Sequence, residues 1–205
     1  TKRANPVAKG PPRDLPAEEV TTLNRDFIDY LNFGGFPEAA LDESVQRQME
    51  RYVANDIIDK VLLRDLPSLY GISDTQELNR LFTTLAYNTG NEVSLDELSK
   101  ASGVAKNTLR RYLEYLEAAF LIHRLYRVDL AAKRFRRATR FKVYLTNPTI
   151  RAALFGAVAE SDAAMGRMAE TAVISHIAHS EVIRSCYYAR WPKGEVDLVA
   201  LEPET

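Results

Sequence analysis

The chain lacks the sequence features that mark secreted and membrane-spanning proteins. Its 205 residues include one cysteine, Cys186, so an internal disulfide cannot form, as is usual in a reducing compartment. No apolar run approaches the roughly 18–20 residues that span a bilayer, and no signal-peptide pattern opens the chain. We therefore expect a cytoplasmic protein with no membrane partner.

The motifs of common catalytic sites are also missing. The sequence has no Walker-type phosphate loop, no nucleophile elbow and no clustered cysteine ligands. The Gly34-Gly35 pair has no Lys-Ser/Thr after it and no predicted strand before it, so it is interpreted as a structural turn. We therefore expect no cofactor and no metal in these residues. The oligomeric state is left open.

The net charge is small, but the charges are unevenly distributed. The whole chain carries −1, whereas residues 106–142 hold eleven Lys or Arg and three Asp or Glu, a net charge of +8. Such asymmetry indicates a basic face on an otherwise acidic protein. A basic face can bind duplex nucleic acid or dock against an acidic neighbouring domain, and the sequence leaves both open.

Hydrophobic periodicity predicts a mainly α protein with small β elements, which is an α+β class. Residues 1–17 contain four prolines and are predicted to be a linker. Residues 18–90 are predicted to be a helical region with helices near 17–31, 44–66 and 75–87. Pro67 is expected to end the second of these helices.

Residues 91–156 show the pattern of a winged helix. Ser94 and Glu97 form a capping box at the start of a short helix that ends near Gly103, and a second helix runs from Lys106 to Phe120. Two strands, at 121–130 and 141–145, would flank a basic wing. The polar face of the second helix is where a recognition helix displays its reading residues. The candidate nucleic-acid-binding residues lie on that face and in the wing: Lys106, Asn107, Arg110, Arg111, Lys133, Arg134, Arg136, Arg137 and Arg140.

Residues 157–205 are predicted to contain one helix and a β-hairpin, too little to bury an independent core. We therefore expect a truncated α/β domain. Glu195 and Asp197 alternate onto one face of the second hairpin strand, in an otherwise apolar segment. An ionised carboxylate there needs water, a cation or hydrogen bonds. The alternatives are an Asp197 on an edge strand that faces water or pairs with Lys193 or Arg190, and a metal site.

Several short motifs, in this order and spacing, resemble the C-terminal half of a large prokaryotic family of AAA-type ATP-binding proteins. They lie at Tyr30–Glu38, Leu63–Asp65, Leu109–Ile122, Lys142–Tyr144 and Gly194–Asp197. In that family a P-loop ATPase module precedes a winged helix and a C-terminal domain of unknown function related to PD-(D/E)XK nucleases. Ala105 and Asn147 depart from the family's usual Ser and Asp.

The resemblance implies a partial PD-(D/E)XK nuclease-like domain in which Glu170 and Asp197 correspond to two carboxylates of the nuclease core. The Glu-x-Lys strand that follows in the family has no counterpart in these residues, so we expect this fragment to be inactive as a nuclease. ATP and Mg²⁺ would belong to the ATPase module outside it.

These expectations combine into one functional hypothesis. The chain would be the DNA-binding and regulatory portion of a cytoplasmic AAA-type ATPase, and its partners would be duplex DNA and the ATPase module. The alternative is a protein-interaction or interdomain-docking module that does not bind nucleic acid.

Overall fold

A computed structural model describes residues 16–128, 140–178, 180 and 186–201 of the protein. These residues form a mainly helical structure with one small five-stranded sheet, so the predicted α+β class is confirmed. Within them, no helix has both the length and the apolar character needed to cross a membrane.

The first half of the described chain is helical. It contains α1 (Ala17–Asp29), π1 (Tyr30–Gly34), α2 (Pro37–Leu41), α3 (Glu43–Gln46), α4 (Met49–Arg51), π2 (Tyr52–Ile58), π3 (Val61–Asp65), α5 (Leu66–Tyr70) and α6 (Thr75–Tyr87).

Two predictions about this region were wrong in detail. The expected single helix over 44–66 is divided into α3, α4, π2 and π3, and Pro67 lies in the first turn of α5 instead of ending a helix. Proline is tolerated there because the first-turn N–H groups have no intrahelical partner. The left-handed Gly71 ends α5. The expected turn at Gly34-Gly35 follows a π-helical segment, π1, which continues directly from α1 and ends at Gly34.

The second half of the described chain contains the sheet. Its elements are β1 (Glu92–Ser94), α7 (Leu95–Ser102), α8 (Lys106–Ala118), β2 (Ile122–Val128), β3 (Arg140–Leu145), α9 (Thr149–Phe155), α10 (Met165–Ala178), β4 (Cys186–Trp191) and β5 (Gly194–Ala200). The sequence analysis missed β1, because its three residues are too few to show an alternating pattern.

The sheet order is β1-β3-β2-β4-β5. All pairs are antiparallel except β2 with β4, which are parallel and register Tyr126 with Tyr187. The C-terminal hairpin therefore extends the same sheet that β2 and β3 begin. This pairing provides the partner surface that a helix and a hairpin lack by themselves. The domain boundary expected between residues 156 and 157 stays a prediction.

The main core lies between the helical region and α7, α8, β2 and β3. A second cluster lies under α10, where Leu125, Tyr144, Ile174, Cys186 and Tyr188 pack together. Since Leu125 and Tyr144 come from β2 and β3, this cluster joins the hairpin to the preceding strands. The packing fixes α10 against the face of the sheet that carries the first candidate site.

Candidate functional site

A buried lysine, Lys142 on β3, lies among three carboxylates contributed by α10 and β5. Its Nζ is 2.8 Å from Oδ1 of Asp197 and 3.6 Å from Oε1 of Glu170, and it also forms an ion pair with Glu195. The Tyr144 hydroxyl donates a hydrogen bond to Oε2 of Glu170, at 3.2 Å. We call these five residues the Lys142 cluster.

The backbone around the cluster explains how Glu170 reaches it. Gly90 adopts a left-handed φ of 83°, and its N–H donates to the carbonyl of Val143 on β3 at 2.8 Å. A Cβ at Gly90 would lie 3.0 Å from Oε2 of Glu170. The absence of a side chain at Gly90 thus leaves room for the Glu170 carboxylate beside β3.

The carboxylates of the cluster respond differently to their surroundings. Burial raises the pKa of Glu170 to about 7, and its hydrogen bond with Asp197 acts in the same direction. Burial also disfavours the charged form of Asp197, but hydrogen bonds, first of all from Lys142, outweigh it and lower that pKa. Burial opposes the charge on Lys142, yet its bonds to Asp197 and Glu195 hold its pKa above the usual value. Near neutral pH the cluster therefore contains a lysine cation, an ionised Asp197 and a Glu170 that is close to its titration midpoint.

The structure shows which cations accompany the carboxylates of β5. The cation that accompanies Asp197 is Lys142, while Arg190 contacts Glu195 with its Nε 3.6 Å from Oε2. The ammonium group lies between the carboxylates, where a divalent ion would have to bind. In the described parts of the chain, no group of three or more His, Cys, Asp or Glu residues is arranged to hold a metal ion. The arrangement therefore does not fit a metal site, which was one of the alternatives for the carboxylates of β5.

The second candidate site is the exposed face of α8. Leu109, Leu113 and Leu116 are buried on one side of this helix. On the opposite side Asn107, Arg110 and Arg111 are exposed, and the Arg110 guanidinium donates to Oδ1 of Asn107 at 3.0 Å. The structure thus brings together three of the residues predicted to contact nucleic acid, on a face that is free to meet a ligand.

Two other predicted contacts are held by acidic neighbours. Lys106 forms an ion pair with Asp96, and Arg140 contacts Glu92 at 3.2 Å and Glu97 at 2.9 Å. All of these acidic residues lie at or next to the start of α7. Both partners are about half exposed in the Lys106–Asp96 and Arg140–Glu97 pairs, so these two pairs are accessible to water and weak, whereas the Glu92 side chain is buried.

The remaining predicted contacts lie outside the described residues. These are Lys133, Arg134, Arg136 and Arg137, from the segment between β2 and β3.

Sequence reasoning identified Glu170, Glu195 and Asp197 but gave Lys142 no role in their site. Glu195 and Asp197 could be selected because charged residues in an apolar segment stand out, whereas Glu170 was selected through the family resemblance. Lys142 belongs to a different predicted unit, and two strands separate β3 from β5 in the sheet. The available signal was a charged residue in the apolar strand Phe141–Leu145, which needs a partner for the same reason as Asp197.

Comparison with known proteins gives a family without an established activity. The chain is similar to an uncharacterized protein of Haemophilus influenzae, with 24% identity over 134 residues. That match covers 63% of this chain and 32% of the relative, so the chain spans about a third of the relative's length. No solved structure matches the chain. Residues 24–161 match a family described as a domain of unknown function (DUF8612), and the chain belongs to this family.

Proposed function

We propose that the chain is a DNA-binding portion of a longer protein and that residues 91–156 form a winged helix that contacts duplex DNA. The observation that carries this proposal is the exposed polar face of α8, with Arg110 and Arg111 side by side, on the second helix of a helix-turn-helix. The N-terminal residues of such a helix are the ones that enter a major groove.

The surrounding elements support the same interpretation. The order α6-β1-α7-α8-β2-β3, with β3 paired to both β1 and β2, is what we would expect of a winged helix and so supports the proposal. In the sequence, Lys133, Arg134, Arg136 and Arg137 fall between β2 and β3, where a winged helix has its wing. Basic residues on both elements would contact phosphates on either side of the groove.

The parent protein is also part of the proposal. We infer that the full-length protein is an AAA-type ATPase whose ATP- and Mg²⁺-binding module lies outside these residues. The support is the family-like series of motifs, together with a relative about three times as long as the part that the chain matches.

Fluorescence anisotropy with a labelled duplex of about 20 base pairs tests DNA binding. We expect micromolar affinity, with log K falling linearly as log salt rises, by about 0.9 per phosphate contacted. Replacing Arg110 and Arg111 with Glu should weaken binding at least tenfold. The matched control replaces Arg25 and Arg47 with Glu, two exposed arginines of the helical region. The proposal is wrong if no duplex binds at low salt, or if both double variants lose affinity equally.

A second candidate function, docking within a longer chain, is favoured by α1. Val20, Leu23 and Phe27 lie on one face of this helix and are 40%, 54% and 39% exposed. Residues 18–27 are all exposed, although an isolated helix of this length is marginal in water. We propose that the remainder of the longer protein covers this face, because the family match begins inside α1 and the relative extends well beyond the matched region.

A pull-down between this chain and the separately expressed remainder of its full-length protein tests the docking function. Replacing Leu23 and Phe27 with Asp should abolish capture and leave DNA affinity unchanged. The variant with Glu at positions 110 and 111 should lose DNA affinity and still be captured. Capture that survives the α1 substitutions would contradict docking through this face.

A further inference from the structure

A cleft of about 500 Å³ lies at the C-terminal end of α8, between the helical region and α10. Its apolar lining comes from Phe36, Ile57, Val61, Leu121, Pro148 and Ile150. Phe120 and the stacked rings of Tyr30 and His176, with centroids 5.7 Å apart, complete it. The volume falls within the range of roughly 300–1,000 Å³ that is usual for small-molecule sites.

Unusual backbone converges on this cleft. Tyr30 and Gly34 come from π1, Ile57 from π2 and Val61 from π3, so every π-helical segment of the described chain contributes to the lining. Such segments are rare and are found frequently at functional sites.

Phe120 provides a second, independent sign. Its φ of 54° makes it the one non-glycine residue with left-handed φ among the described residues. It occupies the position after α8 where glycine is preferred. The Phe120 N–H donates to the backbone carbonyl of Glu117, and the Leu121 N–H donates to the backbone carbonyl of Leu116, both at 3.0 Å. A phenylalanine there strains the backbone, and its side chain is 72% exposed, so it contributes little to the core. The ring is therefore placed where something outside the chain can contact it.

The wall of the cleft formed by Gly34 and Gly35 leaves no space for a larger side chain at either position. A Cβ at Gly34 would lie 2.5 Å from the Tyr30 ring, and a Cβ at Gly35 would lie 1.8 Å from Oδ1 of Asn147. The Asn147 amide donates to the Gly35 carbonyl at 2.7 Å, and the Gly35 N–H donates to Thr149 Oγ1 at 3.0 Å. These contacts hold the wall in one conformation before any ligand arrives.

The chemistry of the lining restricts what can bind. The described residues that line the cleft include no Lys, Arg, Asp or Glu, so a charged ligand would lose its hydration without an ionic partner. Aromatic rings favour stacked or edge-to-face contact with another ring. In the described part of the chain, the Tyr30 hydroxyl and the His176 imidazole form no hydrogen bond to another residue, which leaves both able to accept or donate to a ligand.

We propose that this cleft binds a small, uncharged, planar aromatic molecule that packs against Phe120 and the Tyr30–His176 pair. The cleft is at the opposite end of α8 from Arg110 and Arg111, so this site is separate from the proposed DNA contact.

Titration of the 205-residue protein with indole, followed by amide chemical shifts in ¹⁵N–¹H spectra, tests the proposal. We expect saturable shifts at Gly34, Gly35, Leu121 and Ile150. Phe120→Gly should weaken binding at least tenfold while its unfolding midpoint stays the same or rises, because glycine suits the left-handed position. The control is Tyr87→Ala, which removes an exposed aromatic side chain outside the cleft and should bind indole as the unchanged protein does.

Three results would overturn the proposal. The first is shifts that do not saturate or that map elsewhere, and the second is unchanged affinity in Phe120→Gly. The third is a tripeptide Gly-Trp-Gly that binds tenfold or more tightly than indole, because a protein side chain would then be the natural occupant. Since DNA anisotropy is measured separately, none of these results bears on the proposed DNA contact.

Discussion

At the scale of single residues, the Lys142 cluster places one buried cation beside three carboxylates. The Lys142 side chain is 5% exposed and compensates carboxylates from two other elements. A buried charge is tolerable only while its partners are in place, so removing one member leaves the others unpaired. Both the number of charges and the protonation of Glu170 therefore affect stability.

Replacing Lys142 with Met should destabilise the protein by about 1.5 kcal/mol, because charge-assisted hydrogen bonds are lost while the remaining carboxylates keep some contact with water. Urea unfolding followed by circular dichroism measures the loss. Lys193→Met, at an exposed turn residue, is the matched control and should change stability by less than about 0.5 kcal/mol. Equal effects at both positions would show that the cluster carries no special stabilisation.

The pH dependence of stability should identify Glu170. Its pKa in the folded protein, about 7, is above its unfolded value, so the folded state favours the protonated form. Stability is then fully present below about pH 4.5 and is lost as the pH rises through 7. Glu170→Gln cannot ionise, so its unfolding midpoint should fall less between pH 5 and pH 8 than that of the unchanged protein. Parallel pH profiles would contradict the raised pKa, and Glu160→Gln, at an exposed site, is the control.

At the scale of elements, the consecutive helices α7 and α8 begin differently. Ser94 accepts from the Glu97 N–H at 3.1 Å, and the Glu97 carboxylate accepts from the Ser94 N–H at 3.2 Å, so the predicted capping box is confirmed. Ala105, at the start of α8, has extended backbone and no side-chain cap. The first N–H groups of α8 therefore lack the capping acceptor that α7 has.

Single substitutions at these two N-cap positions should change the free energy of unfolding in opposite directions. Ser94→Ala should cost about 1 kcal/mol, and Ala105→Ser should add roughly 0.5–1 kcal/mol, because a hydroxyl satisfies one free N–H group. Thermal unfolding measures both, with Ser68→Ala on the exposed side of α5 as a control. A destabilising Ala105→Ser would mean that the N–H groups of α8 already have other acceptors.

At the scale of the whole molecule, the parallel pairing of β2 with β4 makes the C-terminal hairpin part of the main sheet. The Tyr188 hydroxyl on β4 donates to Oε2 of Glu92 on β1 at 2.7 Å, which ties together two strands that are not neighbours. The hairpin also covers Leu125 and Tyr144. It should therefore unfold together with the preceding strands.

Ending the chain after Ser180 tests this coupling. The truncation exposes the apolar cluster beneath α10 and leaves one edge of β2 unpaired. We expect the unfolding midpoint to fall by roughly 10 °C or more, since each lost kcal/mol lowers it by about 2–4 °C in a protein of this size. A truncated chain with an unchanged midpoint would mean that the hairpin is an independent appendage.

The sequence by itself determined the features that depend on neighbouring residues. The capping box, the left-handed Gly103, helices α6 and α8, and the strands of the hairpin follow from local hydrogen bonding and from apolar spacing along one segment. It also selected Glu195 and Asp197, because a carboxylate in an apolar segment has few acceptable surroundings, and Glu170 through the family resemblance.

Only the tertiary structure decided which distant segments meet. Lys142 reaches Asp197, 55 residues later, because α10 packs across the sheet and β4 pairs with β2. The π-helical segments and the left-handed Phe120 likewise lie together around one cleft, although each interrupts a different stretch of chain. Local periodicity cannot register such interruptions or such pairings, because both are fixed by packing between residues far apart in sequence.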